Sequence, residues 1–265
     1  MKTVRTLFLL PVFTLCTLGL FAQDAPSAAS LYNQGLEKAK AKEYIVAFDL
    51  MQKAVAAAET EGNEEVMSVA KKNGTRAAYG AGIAYKKQKD YDAAIKAFET
   101  GIEYNPAYYT NYSGKAGVLE AKGNKADAIA TYLKAAEVAG KASKADKEAQ
   151  YTKKAANIIA IAESKKQWAE TKQYAEAYLA VQESADVHYC MASAMKESGD
   201  ASGAVAHVDK AIENAAEGKS GKYYFLKGAI HEKLGQKDAA KSAYSKVDDP
   251  TYAAQAKYKV TELGG

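Results

Sequence analysis

The chain has 265 residues, 48% of them hydrophobic and 26% charged, a balance that excludes a disordered or fibrous chain and describes an ordinary soluble protein. It is rich in alanine and, with 19 Tyr, in tyrosine, which suits close packing of helices. The 36 Lys+Arg are offset by 32 Asp+Glu spread along the chain, so no basic face of the kind that nucleic acid requires is written here.

At the amino terminus Lys2 and Arg5 precede an apolar run from Leu7 to Leu20, and Leu20-Phe21-Ala22 offers a cleavage site, so residues 1–22 read as a secretory signal peptide. The run is short for a membrane span, which takes roughly 20 apolar residues. Leu15, before Cys16, is not the small residue that a lipoprotein signal places there. The expectation is export, to a periplasmic or secreted destination, with no stable membrane insertion after cleavage. Cleavage takes Lys+Arg from 36 to 34 against 32 Asp+Glu and leaves Cys190 as the only cysteine, so packing rather than a disulfide must hold the mature chain together. Cys190 follows Tyr189 in a mostly apolar helical pattern and reads as a small buried hydrophobe.

No Pro/Gly/Ser-rich linker divides residues 23–265, and helical patterns follow one another in pairs. Ser27 can cap a first helix through Leu31, Gly35 and Leu36, with a partner starting near Tyr44 and carrying Ala47, Met51, Ala54 and Val55 inward. Gly62 then ends one helix and Asn63 caps the next above Glu64 and Glu65. Extra helical turns are expected over Val66–Lys72, with Asn73-Gly74 as a place for a bend. The stretch Thr75 to Tyr108 holds two helical patterns, split by Lys87-Gln88-Lys89-Asp90 and closed by Asn105-Pro106, where proline stops the helix. Within it Gly82, Ala94 and Gly101 leave room for two backbones to cross, and Ala78, Tyr85, Tyr91, Phe98 and Ile102 supply apolar bulk.

Further pairs follow. Tyr112, Ala116 and Leu119 face Ala128, Tyr132, Ala135 and Ala136 across the turn Gly123-Asn124-Lys125. Ala155, Ile159 and Ala162 lead to Trp168, Thr171, Ala175, Tyr178 and Leu179, preceded by a lysine-rich stretch, Lys141 to Gln150, that reads as a solvated helical extension. His188, Ala192 and Met195 precede Ala204, Val208, Ala211 and Ile212. Tyr224, Gly228 and His231 precede Ala240, Tyr244 and Val247. Asp249-Pro250 then caps a last amphipathic helix with Tyr252, Ala256, Val260 and Leu263 on one side.

The stretch from Thr75 to Tyr108 resembles a tetratricopeptide repeat, a 34-residue helix-turn-helix unit: Gly82, Tyr85, Tyr91, Ala94, Phe98 and Pro106 stand where its small, large and proline positions fall. Only the aromatic usual at the fourth place is missing, replaced by Ala78. The residue corresponding to Tyr91 recurs at 44, 125, 168, 201 and 237. The resemblance implies an all-α, right-handed superhelical solenoid of about six units, at approximately 28–61, 75–108, 109–142, 152–185, 185–218 and 221–249, closed by a capping helix at 250–263.

No HExxH, GxSxG or GxxxxGK[ST] is present, so nothing proposes an active site, and no cofactor or metal is expected. Gly80-Ala81-Gly82 is better explained by helix packing than by phosphate binding, and the three histidines fall in separate helices. What the resemblance implies instead is a concave groove lined by the first helix of each unit. The fifth residue of each unit, which faces that groove, is Tyr32, Tyr79, Ser113, Ala156, Tyr189 and Phe225. Tyr79, Tyr189 and Phe225, with Arg76, Lys86, Lys196 and Lys222 around them, are the candidate partner-binding residues: rigid rings give contact area and the charges select register. The alternative for each ring is packing against the adjacent unit. The family's clamp for chaperone C-termini, which uses asparagine at the ninth place, is absent, since Leu36, Ile83, Gly117, Ala160, Ser193 and Ala229 stand there. The expected function is a non-catalytic scaffold in the cell envelope that binds a peptide segment or partner protein in the groove. The alternative is a glycan or small-ligand receptor that uses the same aromatic rings.

Overall fold

A computed structural model describes residues 26–264, and the expected signal peptide lies outside them. The described residues form helices and turns with no strand: α1 (Ala28–Lys40), α2 (Tyr44–Glu61), α3 (Glu64–Lys87), α4 (Tyr91–Tyr104), α5 (Tyr109–Lys122), α6 (Lys125–Lys141), α7 (Ala145–Ser164), α8 (Trp168–Leu179), α9 (Ala185–Glu197), α10 (Ala201–Glu213), α11 (Gly221–Lys233), α12 (Lys237–Tyr244) and α13 (Pro250–Gly264). The chain is an all-α solenoid of six helix pairs and a final single helix. Tyr44, Tyr91, Lys125, Trp168, Ala201 and Lys237 each open the second helix of a pair.

Local chemistry sets the helix ends. Asn63, Asp90 and Asp200 accept hydrogen bonds from the backbone N–H groups of Val66 (3.1 Å), Ala93 (3.1 Å) and Gly203 (2.9 Å), satisfying donors that the first turn leaves free. Asp249 does the same for Thr251 at the start of α13, at 2.8 Å. The turn inside every pair bends through one residue with positive φ, two places before the second helix: Lys42, Lys89, Gly123, Lys166, Gly199 and Gly235. Between the helices of the second pair, Gly82 accommodates the fully buried Phe98, since a Cβ there would stand 2.6 Å from the ring. Small residue against large is the rule by which the pairs close.

The excess length near residues 62–74 is absorbed in α3, a single helix of 24 residues with no break at Asn73-Gly74. Contacts on two sides hold it there. The Asn73 amide donates to the Tyr32 hydroxyl on α1 at 3.0 Å and to the Val69 carbonyl at 3.1 Å, and Gly74 lies against the ring of Tyr104 on α4. The lysine-rich stretch divides instead, with α6 ending at Lys141, Ser143 turning at positive φ and α7 beginning at Ala145. All of residues 141–150 are exposed.

First helices of successive pairs touch: α1 meets α3, α3 meets α5, α7 meets α9 and α9 meets α11. Second helices do not make comparable contacts, except α6 with α8. An array whose first helices crowd and whose second helices spread must curve with the first helices on the inside, so those helices form the inner wall. α13 completes the stack by covering Tyr244, Phe225 and Val247 with Ala256, Val260 and Leu263.

Candidate functional site

At its amino-terminal end the inner wall holds an open recess. Arg76, Tyr79, Gly80, Ile83, Ala84 and Lys87 lie along one face of α3 and meet Lys42 and Tyr44 from the first turn and Tyr108 from the α4–α5 connection, around a cavity of about 620 Å³. Helical spacing accounts for the α3 contribution, because places three and four apart share a face. Gly80 accounts for Tyr44: a Cβ at Gly80 would stand 2.5 Å from the Tyr44 ring, so only glycine lets that ring lie on the α3 backbone. Tyr79 leans its ring on Phe98, with centroids 6.0 Å apart, and stays partly exposed. Burial, with the nearby phenols of Tyr151 and Tyr108, raises its phenol above the ordinary value, so it enters the cavity as a neutral hydrogen-bonding group.

The charges of this cavity are all of one sign. Lys42, Arg76 and Lys87 line it, no carboxylate does, and none of the three makes an ion pair among the described residues. Lys86 turns away toward the next pair, where its Nζ would stand 3.1 Å from a Cβ on Gly117. It borders the groove between α3 and α5 rather than the cavity.

The carboxy-terminal end is occupied by its own side chains. Lys222 pairs with Asp186 at 2.6 Å and lies over the rings of Tyr189 (5.5 Å) and Tyr223 (5.0 Å), while the Tyr223 hydroxyl donates to the same carboxylate at 2.9 Å. Burial pushes the Asp186 carboxyl up, but the hydrogen bonds from Lys222 and Tyr223 outweigh it and hold the group below its ordinary value. Tyr189 packs on Tyr223 with centroids 5.9 Å apart, and burial keeps its phenol protonated. Phe225 sits between Tyr244 and Tyr252, at 5.4 and 5.1 Å, so the final helix takes the face that the groove mapping leaves for a partner. Lys196 pairs with its neighbour Glu197 at 2.8 Å, and its carbonyl accepts from Lys233. Arg76 and Tyr79 are thus brought together, as are Tyr189 and Lys222, while Phe225, Lys86 and Lys196 stand apart from both groups.

Several participants escape the first-helix mapping. Lys42, Tyr44 and Tyr108 come from turns or from the start of a second helix, and only the close approach permitted by Gly80 signals Tyr44. The histidines His188 and His207 belong to separate helices yet meet, Nδ1 to Nδ1 at 2.9 Å, because α9 and α10 fold back on each other. The other nitrogen of His188 is hydrogen-bonded to Glu183. Among the described residues no group of three or more His, Cys, Asp or Glu side chains is placed to hold a metal ion. Cys190 is buried, and its thiol is pushed up to about 12, chiefly by that burial. No helix among the described residues is long and apolar enough to cross a membrane.

Helix pairs stacked in this way define the class of helical-repeat solenoids. The tetratricopeptide repeat model matches residues 75–108, and a second model of the same repeat matches residues 221–249. The chain carries tetratricopeptide repeats, and repeats of this kind build scaffolds for protein–protein interaction. No curated protein matches the chain. Among solved structures it is similar to a repeat protein of Thermus thermophilus, at 12% identity and TM-score 0.32, over 89% of this chain and 98% of that one. It is similar to one of Parabacteroides merdae, at 11% and 0.35 over 90% and 99%. The C-terminal part of a repeat-containing protein of Cytophaga hutchinsonii is similar at 17% and 0.40, over 88% and 84%.

Proposed function

We propose that the chain is a non-catalytic scaffold that is exported to the cell envelope and binds a peptide segment of a partner protein on its inner wall, at the end formed by α2, α3 and the start of α5. The observation that carries this reading is the cavity around Tyr79, whose cations make no ion pair among the described residues, on a wall whose other end is taken up by contacts within the chain. At about 620 Å³ it lies in the size range of ligand pockets, roughly 300–1,000 Å³. The glycan reading fits this lining less well, since it offers no Asp, Glu, Asn or Gln side chain to accept from sugar hydroxyls.

The test is photo-crosslinking in the native envelope from a probe at Ile83, with and without Tyr79→Ala. Loss of a ring at the centre of an interface costs about 2 kcal/mol or more, so capture should fall at least about tenfold while helical content by circular dichroism stays unchanged. Capture that survives Tyr79→Ala, or a partner that crosslinks only from the outer face, would remove the reading.

A further inference from the structure

Resting on that groove reading and narrowing it, we propose that the cavity formed by Lys42, Tyr44, Arg76, Tyr79, Lys87 and Tyr108 recognises the side-chain carboxylates of an acidic segment within a partner protein. Three cations converge on one recess, and neither a carboxylate in the lining nor an ion pair within the described residues offsets them. The carboxy-terminal end of the array behaves otherwise. There Lys222 is matched by Asp186 at 2.6 Å, Lys196 by Glu197 at 2.8 Å and Lys259 by Glu232 at 3.2 Å. Like charges held together raise the local potential, which only an incoming anion relieves. A protein anion is favoured over a small one by the other half of the lining. Tyr44, 38% exposed, presents ring surface beside the cations, together with Tyr79, Tyr108 and Ile83. Such a mixture fits an apolar residue flanked by Asp or Glu, with Arg76 able to grip a carboxylate by two parallel hydrogen bonds and the lysines serving as point charges.

The experiment selects a displayed library of random peptides on the full chain and compares wild type with Arg76→Glu/Lys87→Glu and with Tyr79→Ala. The enriched sequences should be rich in Asp and Glu around an apolar residue. A synthetic peptide of that kind should bind the double charge-reversal variant about tenfold more weakly or worse, as expected when complementary charge becomes like charge. Its affinity should also fall as sodium chloride rises. Replacing its Asp and Glu by Asn and Gln should have a comparable effect. Enrichment of neutral or basic sequences that still depend on Tyr79 would overturn the acidic assignment and leave the groove reading in place. Enrichment of nothing over an unrelated helical protein would overturn both. Equal circular dichroism spectra for the three proteins separate loss of recognition from loss of fold, and the two substituted charges are expected to leave the fold intact because both side chains are exposed.

Discussion

Two imidazoles, His188 buried and His207 half-buried, face each other across one hydrogen bond. Glu183 is hydrogen-bonded to Nε2 of His188, and His188 Nδ1 shares a single hydrogen with His207 Nδ1 at 2.9 Å. With the ring centroids 5.2 Å apart, charge on one ring opposes charge on the other. His207 is accordingly held below its ordinary value, by burial first, then by His188 and Lys210, with Glu183 and Glu176 pulling weakly the other way. The sign follows from linkage: a histidine titrating near 6.5 when unfolded and lower when folded takes up its proton first in the unfolded chain, so stability falls as pH drops below about 6.5. Glu183, whose carboxyl is held low by the His188 hydrogen bond, adds a loss of the same sign at more acid pH. The urea midpoint should therefore fall between about pH 7 and about pH 5, and His207→Gln should flatten that fall. An unchanged slope in the variant would show that the pair does not govern it.

The turns between paired helices impose one backbone requirement six times, and the chain meets it with two chemistries. Gly123, Gly199 and Gly235 adopt positive φ freely, whereas Lys42, Lys89 and Lys166 adopt φ of 62°, 63° and 57° against the steric preference of an L residue. Lys89 and Lys166 are exposed and make no ion pair among the described residues, so replacing either by glycine should raise stability by about 0.5–1 kcal/mol, read as a higher thermal midpoint. Lys42 lies in the cavity, where the same change would also remove a lining cation. These turns also explain what the sequence could and could not reveal. Helix starts were legible because small and large residues recur in register, so Tyr91 predicts Trp168 and Lys237. Asn63 and Gly62 likewise announce the start and stop they form. A lysine at positive φ carries no such mark, and so the side chains that turns contribute to the cavity, Lys42 and Tyr108, were invisible to a mapping confined to first helices. The surroundings of Phe225 escaped the mapping for a different reason: its fifth place faces the inner wall, but at the end of the array Tyr252 packs against it there. The joining of His188 to His207 depends on the crossing of two helices, which spacing along the chain does not fix.

The apolar core is uneven along the array. One continuous cluster runs from Ala116 and Leu119 on α5 to Tyr223, Leu226 and Ile230 on α11, whereas the first pairs are held by three smaller clusters around Met51, Leu31 and Phe98. A stack in which each unit leans only on its neighbours opens from its weaker end, so backbone amides of α1 and α2 should exchange with deuterium before those of α6 and α9, as read by mass spectrometry of fragments. Uniform protection from α1 to α11 would contradict this.

The contact between α6 and α8 breaks the alternation seen elsewhere. There the outer helices close up, while α5 and α7 meet through the rings of Tyr109 and Tyr151, 6.1 Å apart. The run of first helices in contact is accordingly interrupted once, between α5 and α7, where two rings meet in place of closely packed backbones. A partner laid along the proposed groove past that junction would be held in two separate stretches, as two short motifs joined by a slack tether would be, each raising the local concentration of the other.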